Sequence, residues 1–167
     1  MIEVITDDLA FVETGALARP VDAELRATTP LLRRLESAAG DALARQLQVH
    51  EPLAVGSAVV TGAGDLTAEL LIHAVITSDD EAVSRESVRR ALTSALQRAS
   101  DFGVDELALP PFGLGAGNLD IEDCADVMID VLHRHAQRHA QPARVIIVVE
   151  GALEQEIFSA YATRRAS

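Results

Sequence analysis

The stretch LALPPFGLGAGNLDIEDCA, at residues 107–125, decides the fold class of this chain. It begins as a short hydrophobic strand, continues through a glycine-rich turn and ends in a helix that starts near Ile121. Glycines adopt backbone angles closed to other residues and let a ligand approach the main chain. The amides that follow and the helix N-terminus supply partial positive charge. The stretch therefore indicates either an anion-binding loop or a tight structural turn, and it is neither a P-loop nor a GxGxxG motif.

Outside this stretch, apolar runs of strand length alternate with longer helical patterns, which predicts an α/β fold. The clearest helix covers residues 84–100, where apolar residues follow three- and four-residue spacing and Ser84 or Ser87 can cap the first turn. The predicted strands are 2–5, 16–18, 58–61, 70–76, 107–109 and 144–149, and the other predicted helices are 30–48, 121–138 and 152–165. With 167 residues, no repeat and no linker, we expect one domain over residues 1–167.

The composition excludes several function classes. All 14 basic residues are arginine, so a Walker A lysine, a Schiff-base lysine and a lysine nucleophile are impossible in this sequence. The net charge of −12 disfavours general nucleic-acid binding but allows a small anion held by backbone amides. A single cysteine and no apolar leader predict a reduced, cytoplasmic protein, and no apolar run approaches the roughly 20 residues of a membrane span. No cofactor is expected.

A second stretch, VGSAVVTGAGDLTAELLIHAVI at residues 55–76, completes a family resemblance. Together with the glycine-rich stretch it resembles the macro domain, the ADP-ribose-binding fold, in both the order and the separation of the two motifs. The start of the chain, VITDDLAFVETGALA at residues 4–18, is similar to that family's first strand, turn and strand. The resemblance spans nearly the whole chain. It implies a three-layer α/β/α fold with a mixed central sheet.

The resemblance also implies a set of ligand-binding residues. Asp8, followed by Leu9, stands where the family accepts a hydrogen bond from the adenine amino group, although aspartates are equally common in solvated turns. Val149, near the end of the last strand, is expected to pack on the purine where the family often has an aromatic group. The loop that would wrap the diphosphate and distal ribose consists of Gly113, Leu114, Gly115, Ala116, Gly117 and Asn118.

Two departures from the family pattern alter the distal half of the implied site. Arg19 and Asp22 fall in the segment where the family usually has the motif NAAN, and both asparagines are missing. Residues 28–34, TTPLLRR, replace a second glycine-rich loop, and proline has no amide donor. Arg19, with Arg33 and Arg34, either brings guanidinium groups to a phosphate or is solvated surface charge. Asp22 either orients a ribose hydroxyl or caps the following helix.

Three functions remain open. The first is a reader, that is, a protein that binds ADP-ribose or a related nucleotide diphosphate without catalysing a reaction. The second is a divergent hydrolase of ADP-ribose esters or related phosphoesters, with Asp22 or Asp120 as general base. It is disfavoured, because the family's catalytic asparagine, lysine and paired glutamates are all missing. The third is a structural or protein-interaction module whose pocket is closed by Pro30, Leu31 and Leu32.

Four other side chains have more ordinary interpretations. His135 and His139 are four residues apart on one predicted helix, which permits a shared metal, but charge near a helix C-terminus is the simpler explanation. His73 lies inside a predicted strand and is expected to be a hydrogen-bonded core residue. Cys124 falls on the apolar face of its helix and is expected to be a buried, inert thiol.

Overall fold

The computed structural model describes residues 1–49, 51–115 and 119–166, and these contain a mixed sheet of six strands. The strands are β1 (Ile2–Thr6), β2 (Ala16–Asp22), β3 (Ala58–Gly62), β4 (Leu70–Thr77), β5 (Glu106–Leu109) and β6 (Arg144–Val149). Their order in the sheet is β1-β6-β5-β2-β4-β3. All neighbouring pairs are parallel except β3 and β4. The predicted α/β class and mixed central sheet are confirmed.

The described residues also form five α-helices and a short 3-10 helix at Leu9–Phe11. The α-helices are α1 (Pro30–Ala39), α2 (Asp41–Gln46), α3 (Arg85–Asp101), α4 (Ile121–Arg138) and α5 (Ala152–Ala166). The single helix predicted over residues 30–48 is therefore wrong. Gly40 separates α1 from α2, because it adopts a φ of 82° while the Asp65 amide bonds to the Ala39 carbonyl.

The helices cover both faces of the sheet. One apolar cluster packs α3, α4 and α5 on one face, and a second cluster packs α1 and α2 on the other. Side chains on a strand alternate between faces, so β2, β4, β5 and β6 each contribute to both clusters. On β6, Ile147 and Val149 belong to the first cluster, whereas Ile146 and Val148 belong to the second. The three-layer α/β/α architecture implied by the family resemblance is thereby confirmed.

The parallel strands β1, β2, β4, β5 and β6 bring their carboxyl ends to one edge of the sheet. Ligands of open α/β sheets bind at this edge. The glycine-rich loop follows β5 there, and the segment leading to α1 follows β2. Across the described residues, no helix combines the length and apolar character required to cross a membrane.

Candidate functional site

A cleft of about 500 Å³ opens at this edge, between α1, the glycine-rich loop and the start of α5. Its volume lies within the roughly 300–1,000 Å³ of small-molecule sites. The lining residues come from four segments: Thr29, Pro30, Leu31, Leu32 and Arg34 at α1; Pro110 and Pro111 after β5; Leu114 and Gly115 in the loop; and Val148, Glu150 and Glu154 from β6 onward. The cleft therefore combines apolar walls, a glycine loop, one arginine and two carboxylates.

One wall of the cleft is the first turn of α1. Thr29 caps this helix, its Oγ1 accepting a hydrogen bond from the Leu32 amide at 3.3 Å, and Pro30 occupies the first helical position, where its missing N–H costs nothing. Pro30 and Leu31 stand along the side of the cleft and leave its 500 Å³ open. The third hypothesis expected Pro30, Leu31 and Leu32 to close the pocket. Among the described residues, these three line an open cleft instead.

A second wall of the cleft, adjacent to the first at Thr29, is the glycine-rich loop. Gly113 and Gly115 have φ values of 91° and 75°, so both need the left-handed backbone that glycine adopts freely. A Cβ at Gly115 would lie 3.2 Å from Thr29 Cγ2, which ties this glycine to the cap of α1. Leu114 and Gly115 line the cleft, whereas Gly113 is buried, and the ligand contacts of all three stay predictions. The candidates Ala116, Gly117 and Asn118 lie outside the described residues.

The Asp8 turn adjoins β1 at the same edge. Asp8 caps the short 3-10 helix, its Oδ1 accepting from the Ala10 amide at 3.0 Å, and its side chain is exposed. The adenine contact of Asp8 stays a prediction. The Leu9 side chain is buried in the core cluster beneath α1, so a direct ligand contact by that side chain is wrong.

The apolar contact predicted for Val149 is also wrong. Val149 is fully buried in the cluster under α4, on the opposite side of the sheet from the cleft. Its neighbour Val148 points the other way, because side chains alternate along a strand, and it lines the cleft. The position that offers an apolar surface to a ligand is therefore Val148.

Arg19 lies inside the protein and does not reach the cleft. Its side chain is 0% exposed, Nε donates to His73 Nδ1 at 2.9 Å, and Nη2 donates to the Leu25 carbonyl at 3.1 Å. Nη1 forms an ion pair with Glu36 of α1. The phosphate contact predicted for Arg19 is wrong, because all three nitrogens of the guanidinium group are engaged within the fold.

His73 is a hydrogen-bonded core residue, as predicted. Its Nδ1 accepts from Arg19, so Nε2 carries the proton and donates to Thr61 Oγ1 at 2.8 Å; Thr61 in turn donates to the Gly62 carbonyl. Burial, together with the charge of Arg19, lowers the pKa of His73 to about 3. The imidazole is therefore neutral at physiological pH and serves the fold.

Neither candidate general base faces the cleft. Asp22 Oδ1 accepts from the amides of Glu24 and Arg26, both at 2.9 Å, and Oδ2 accepts from the Arg26 side chain. Asp22 thus organises a turn, and the predicted helix cap is wrong, because Thr29 performs that function for α1. Asp120 caps α4, accepting from the Asp123 amide at 2.8 Å. Both carboxylates are used locally, and neither is among the described lining residues.

Two further sequence predictions concern residues away from the cleft. Cys124 is buried, donates to the Phe112 carbonyl at 2.8 Å, and has its pKa raised by burial, which fits the predicted inert thiol. The His135 and His139 rings stack with centroids 4.5 Å apart, and His135 Nε2 lies 2.9 Å from the Gln141 carbonyl. Among the described residues, no group of three or more His, Cys, Asp or Glu side chains is arranged for a metal ion.

The fold and cleft can be compared with known proteins. A family model, the macro domain, matches residues 20–128. This chain belongs to the macro domain family. An uncharacterised protein of Mycobacterium tuberculosis is 31% identical over 159 residues, which are 95% of this macro domain and 44% of the relative. The chain thus spans less than half the length of that relative.

Two other known proteins are matched over most of their own length. An O-acetyl-ADP-ribose deacetylase of Enterobacter sp. is 27% identical over 153 residues, covering 88% of this macro domain and 85% of the relative. A mutant Oceanobacillus iheyensis macrodomain with ADPR superimposes with a TM-score of 0.87 at 17% identity, covering 98% of this chain and 92% of the other. The structural similarity confirms the macro domain fold.

Several cleft residues of this macro domain were not anticipated from the sequence. Glu150 and Glu154 line the end opposite α1, and the Glu150 amide donates to Glu154 Oε2 at 3.3 Å. Arg34 Nη2 lies 3.6 Å from Glu150 Oε1, so a weak exposed ion pair connects α1 to the segment between β6 and α5. Arg33 is exposed and is not a described lining residue. Sequence position could have identified Glu150 as a cleft residue, because it directly follows β6 at the carboxyl edge of the sheet, where ligands of such sheets bind.

Proposed function

We propose that this macro domain binds ADP-ribose or a related nucleotide diphosphate in the cleft at the carboxyl ends of β5 and β6. The observation that carries the proposal is an open volume of about 500 Å³ with the glycine loop on one wall and the N-terminus of α1 on the other. Both walls present backbone amides or partial positive charge to an anion. The presence of ADPR in a macrodomain of the same fold supports this choice of ligand.

The diphosphate belongs along the surface formed by Leu114, Gly115 and the first turn of α1, which meet at Thr29. Pro30 has no N–H and the Leu32 amide is bonded to Thr29, so the Leu31 amide is the donor that this turn offers. Arg34 adds an exposed positive charge to the lining of the cleft. No lysine is required, because amides and one guanidinium group suffice to hold phosphate oxygens.

The nucleoside and the distal ribose belong against the remaining surfaces. Glu150 and Glu154 accept hydrogen bonds but repel phosphate, so their partners are hydroxyl and amino groups of the ligand. Val148, with Pro110 and Pro111, supplies an apolar surface for a ring. Asp8 lies at the same edge of the sheet, and we keep it as the acceptor for the adenine amino group.

Binding without catalysis is the function this geometry supports best. Asp22 and Asp120 are occupied by a turn and a helix cap, and both lie outside the described lining of the cleft. Hydrolysis of ADP-ribose esters is the second candidate, favoured by the 27% identity to a protein named O-acetyl-ADP-ribose deacetylase. In that case Glu150 or Glu154 is the carboxylate placed to activate water.

Calorimetric titration of the protein with ADP-ribose, with AMP and ADP as comparison ligands, tests the proposal. We expect ADP-ribose to bind more tightly than AMP, because the cleft accommodates the diphosphate and both ribose rings. Absence of heat with every ligand at millimolar concentration would refute it. Incubation with O-acetyl-ADP-ribose, followed by chromatography of the products, separates a reader from a hydrolase.

The wider expectations from the sequence remain part of the proposal. We expect residues 1–167 to act as one domain, with a cytoplasmic location. We also expect no general affinity for nucleic acid, because the net charge is −12.

A further inference from the structure

A second concave surface lies between α3 and α4, on the opposite face of the sheet from α1. Its volume is about 490 Å³, close to the 500 Å³ of the cleft proposed to bind ADP-ribose, which we call the nucleotide cleft. Arg89 lines it from α3, while Arg134 and Arg138 line it from α4 with His135 and His139. We call this surface the α3–α4 groove.

The α3–α4 groove carries the opposite charge to the rest of the chain. Three arginines and a single carboxylate, Asp130, line it, so its formal charge is positive even when both histidines are neutral. The chain as a whole carries −12. A concave positive surface on an acidic protein concentrates small anions locally.

Asp130 positions two of these arginines. Its side chain is 10% exposed, and Oδ2 accepts from Arg89 Nη1 and from Arg134 Nε, both at 3.0 Å. Oδ1 also lies 3.2 Å from Arg165 Nη2. Asp130 shares these guanidinium groups with two outer carboxylates, since Arg89 Nε lies 3.5 Å from Glu86 Oε2 and Arg165 Nη2 lies 3.9 Å from Asp126 Oδ1, so the unbalanced positive charge of the groove is that of Arg138. Asp130 also holds the planar groups of Arg89 and Arg134 close together, with further N–H donors available.

The third arginine of the groove, Arg138, is the last residue of α4. Within the described parts of the chain, Arg138 forms no ion pair. The neighbouring His135 and His139 rings stack at 4.5 Å and an interplanar angle of 18°. Thr93 and Gln97 extend the lining along α3 with neutral polar groups. This composition suits a ligand with many acceptor oxygens and more than one negative charge.

We propose that the α3–α4 groove binds a small phosphate anion that carries two or more negative charges, at a site separate from the nucleotide cleft. Guanidinium groups donate paired, nearly parallel N–H bonds that match the spacing of phosphate oxygens. The Arg89 and Arg134 pair, fixed by Asp130, binds one phosphate group, and Arg138 contacts its extension. A groove of about 490 Å³ has room for a diphosphate and a small attached group.

Inorganic pyrophosphate is the probe for this site. Calorimetric titration of the full chain at low salt, with the nucleotide cleft saturated by ADP-ribose, is expected to show binding that weakens about tenfold in Arg138→Gln, equivalent to about 1.4 kcal/mol. Arg45→Gln is the matched control, since it removes the same charge from an exposed position on α2. In amide NMR spectra, shifts should occur at residues 131–139 and not at Leu114 or Gly115.

Several results would overturn the proposal. These are no binding at millimolar pyrophosphate, equal weakening by Arg138→Gln and Arg45→Gln, or amide shifts confined to the nucleotide cleft. A tetraglutamate peptide is the competing ligand, and tighter binding of that peptide than of pyrophosphate would show that the groove recognises carboxylates. If ADP-ribose fails to bind, the pyrophosphate titration still tests the groove, because amide shifts report the two sites separately.

Discussion

Arg19 and His73 are direct partners on the neighbouring strands β2 and β4, and a 2.9 Å hydrogen bond runs from Arg19 Nε to His73 Nδ1 in the fully buried interior. The same guanidinium group pairs with Glu36, which also accepts from the Ala27 amide at 3.1 Å. One buried cation thus connects the central sheet to α1, whose first turn forms a wall of the nucleotide cleft. This network makes the placement of that wall sensitive to residues that never touch a ligand.

Removal of the buried cation should therefore destabilise the fold. Arg19→Met leaves Glu36 and His73 without their shared partner, and the expected loss in free energy of unfolding is about 3 kcal/mol. Urea denaturation measures it, with Arg33→Met as the control, since Arg33 is an exposed arginine on α1. A loss below about 1 kcal/mol would show that the network contributes little.

His73 should make the fold sensitive to acid. Its pKa is about 3 in the folded protein against 6.5 for the ordinary group, so below about pH 6.5 the unfolded chain binds a proton that the folded chain excludes. Stability therefore falls as the pH drops from about 6.5 towards 3, by up to about 1.4 kcal/mol per pH unit.

The variant His73→Gln isolates this contribution. Glutamine can accept from Arg19 and donate to Thr61 without titrating. Urea denaturation between about pH 6 and pH 4 should give a shallower decline in stability for the variant than for the wild type. Parallel declines would mean that other groups determine the acid sensitivity.

Gly115 should be required for ligand binding. Gly115→Ala places a Cβ 3.2 Å from Thr29 Cγ2 on a backbone with a φ of 75°, which displaces the loop from α1. We expect ADP-ribose affinity to fall about tenfold or more. Gly15→Ala is the control, because a Cβ there has no atom within 4 Å and Gly15 has no positive φ. Equal affinities in both variants would remove the loop from the site.

Val148 and Val149 should separate binding from stability. Val148→Ala enlarges the cleft and removes apolar contact with the ligand, so we expect ADP-ribose affinity to fall about three- to tenfold. It should also lower the free energy of unfolding, because Val148 is only 3% exposed in the second core cluster. Val149→Ala leaves a cavity under α4, and its main effect should be on unfolding. Calorimetry and urea denaturation of both variants test the assignment, and the reverse pattern would restore Val149 as the ligand contact.

The sequence predicted the elements of the fold because their periodicities are strong. The helix predicted over residues 84–100 is Arg85–Asp101 with Ser84 as its cap, and the last predicted strand is Arg144–Val149. The error at Val149 has a physical cause. When a strand is buried on both faces, an unbroken apolar run does not reveal which residues face which side.

Arg19 could not be placed from sequence for a different reason. Its partners His73 and Glu36 are 54 and 17 residues away along the chain, so only the tertiary fold brings them together. Asp22 is a local case, since its bonds to the amides of Glu24 and Arg26 form a turn that competes with the helix cap predicted for it. In both cases, the side chain satisfies the fold before it can meet a ligand.

We propose ADP-ribose as the ligand of the cleft formed by α1 and the glycine-rich loop. Amide NMR spectra recorded during an ADP-ribose titration test this binding site most directly, because each backbone amide gives a signal that depends on its own surroundings. Binding in this cleft predicts saturating shifts at Leu31, Leu114, Gly115 and Glu150, with the amides of the α3–α4 groove unaffected. Saturation with no shift at those four amides would contradict it.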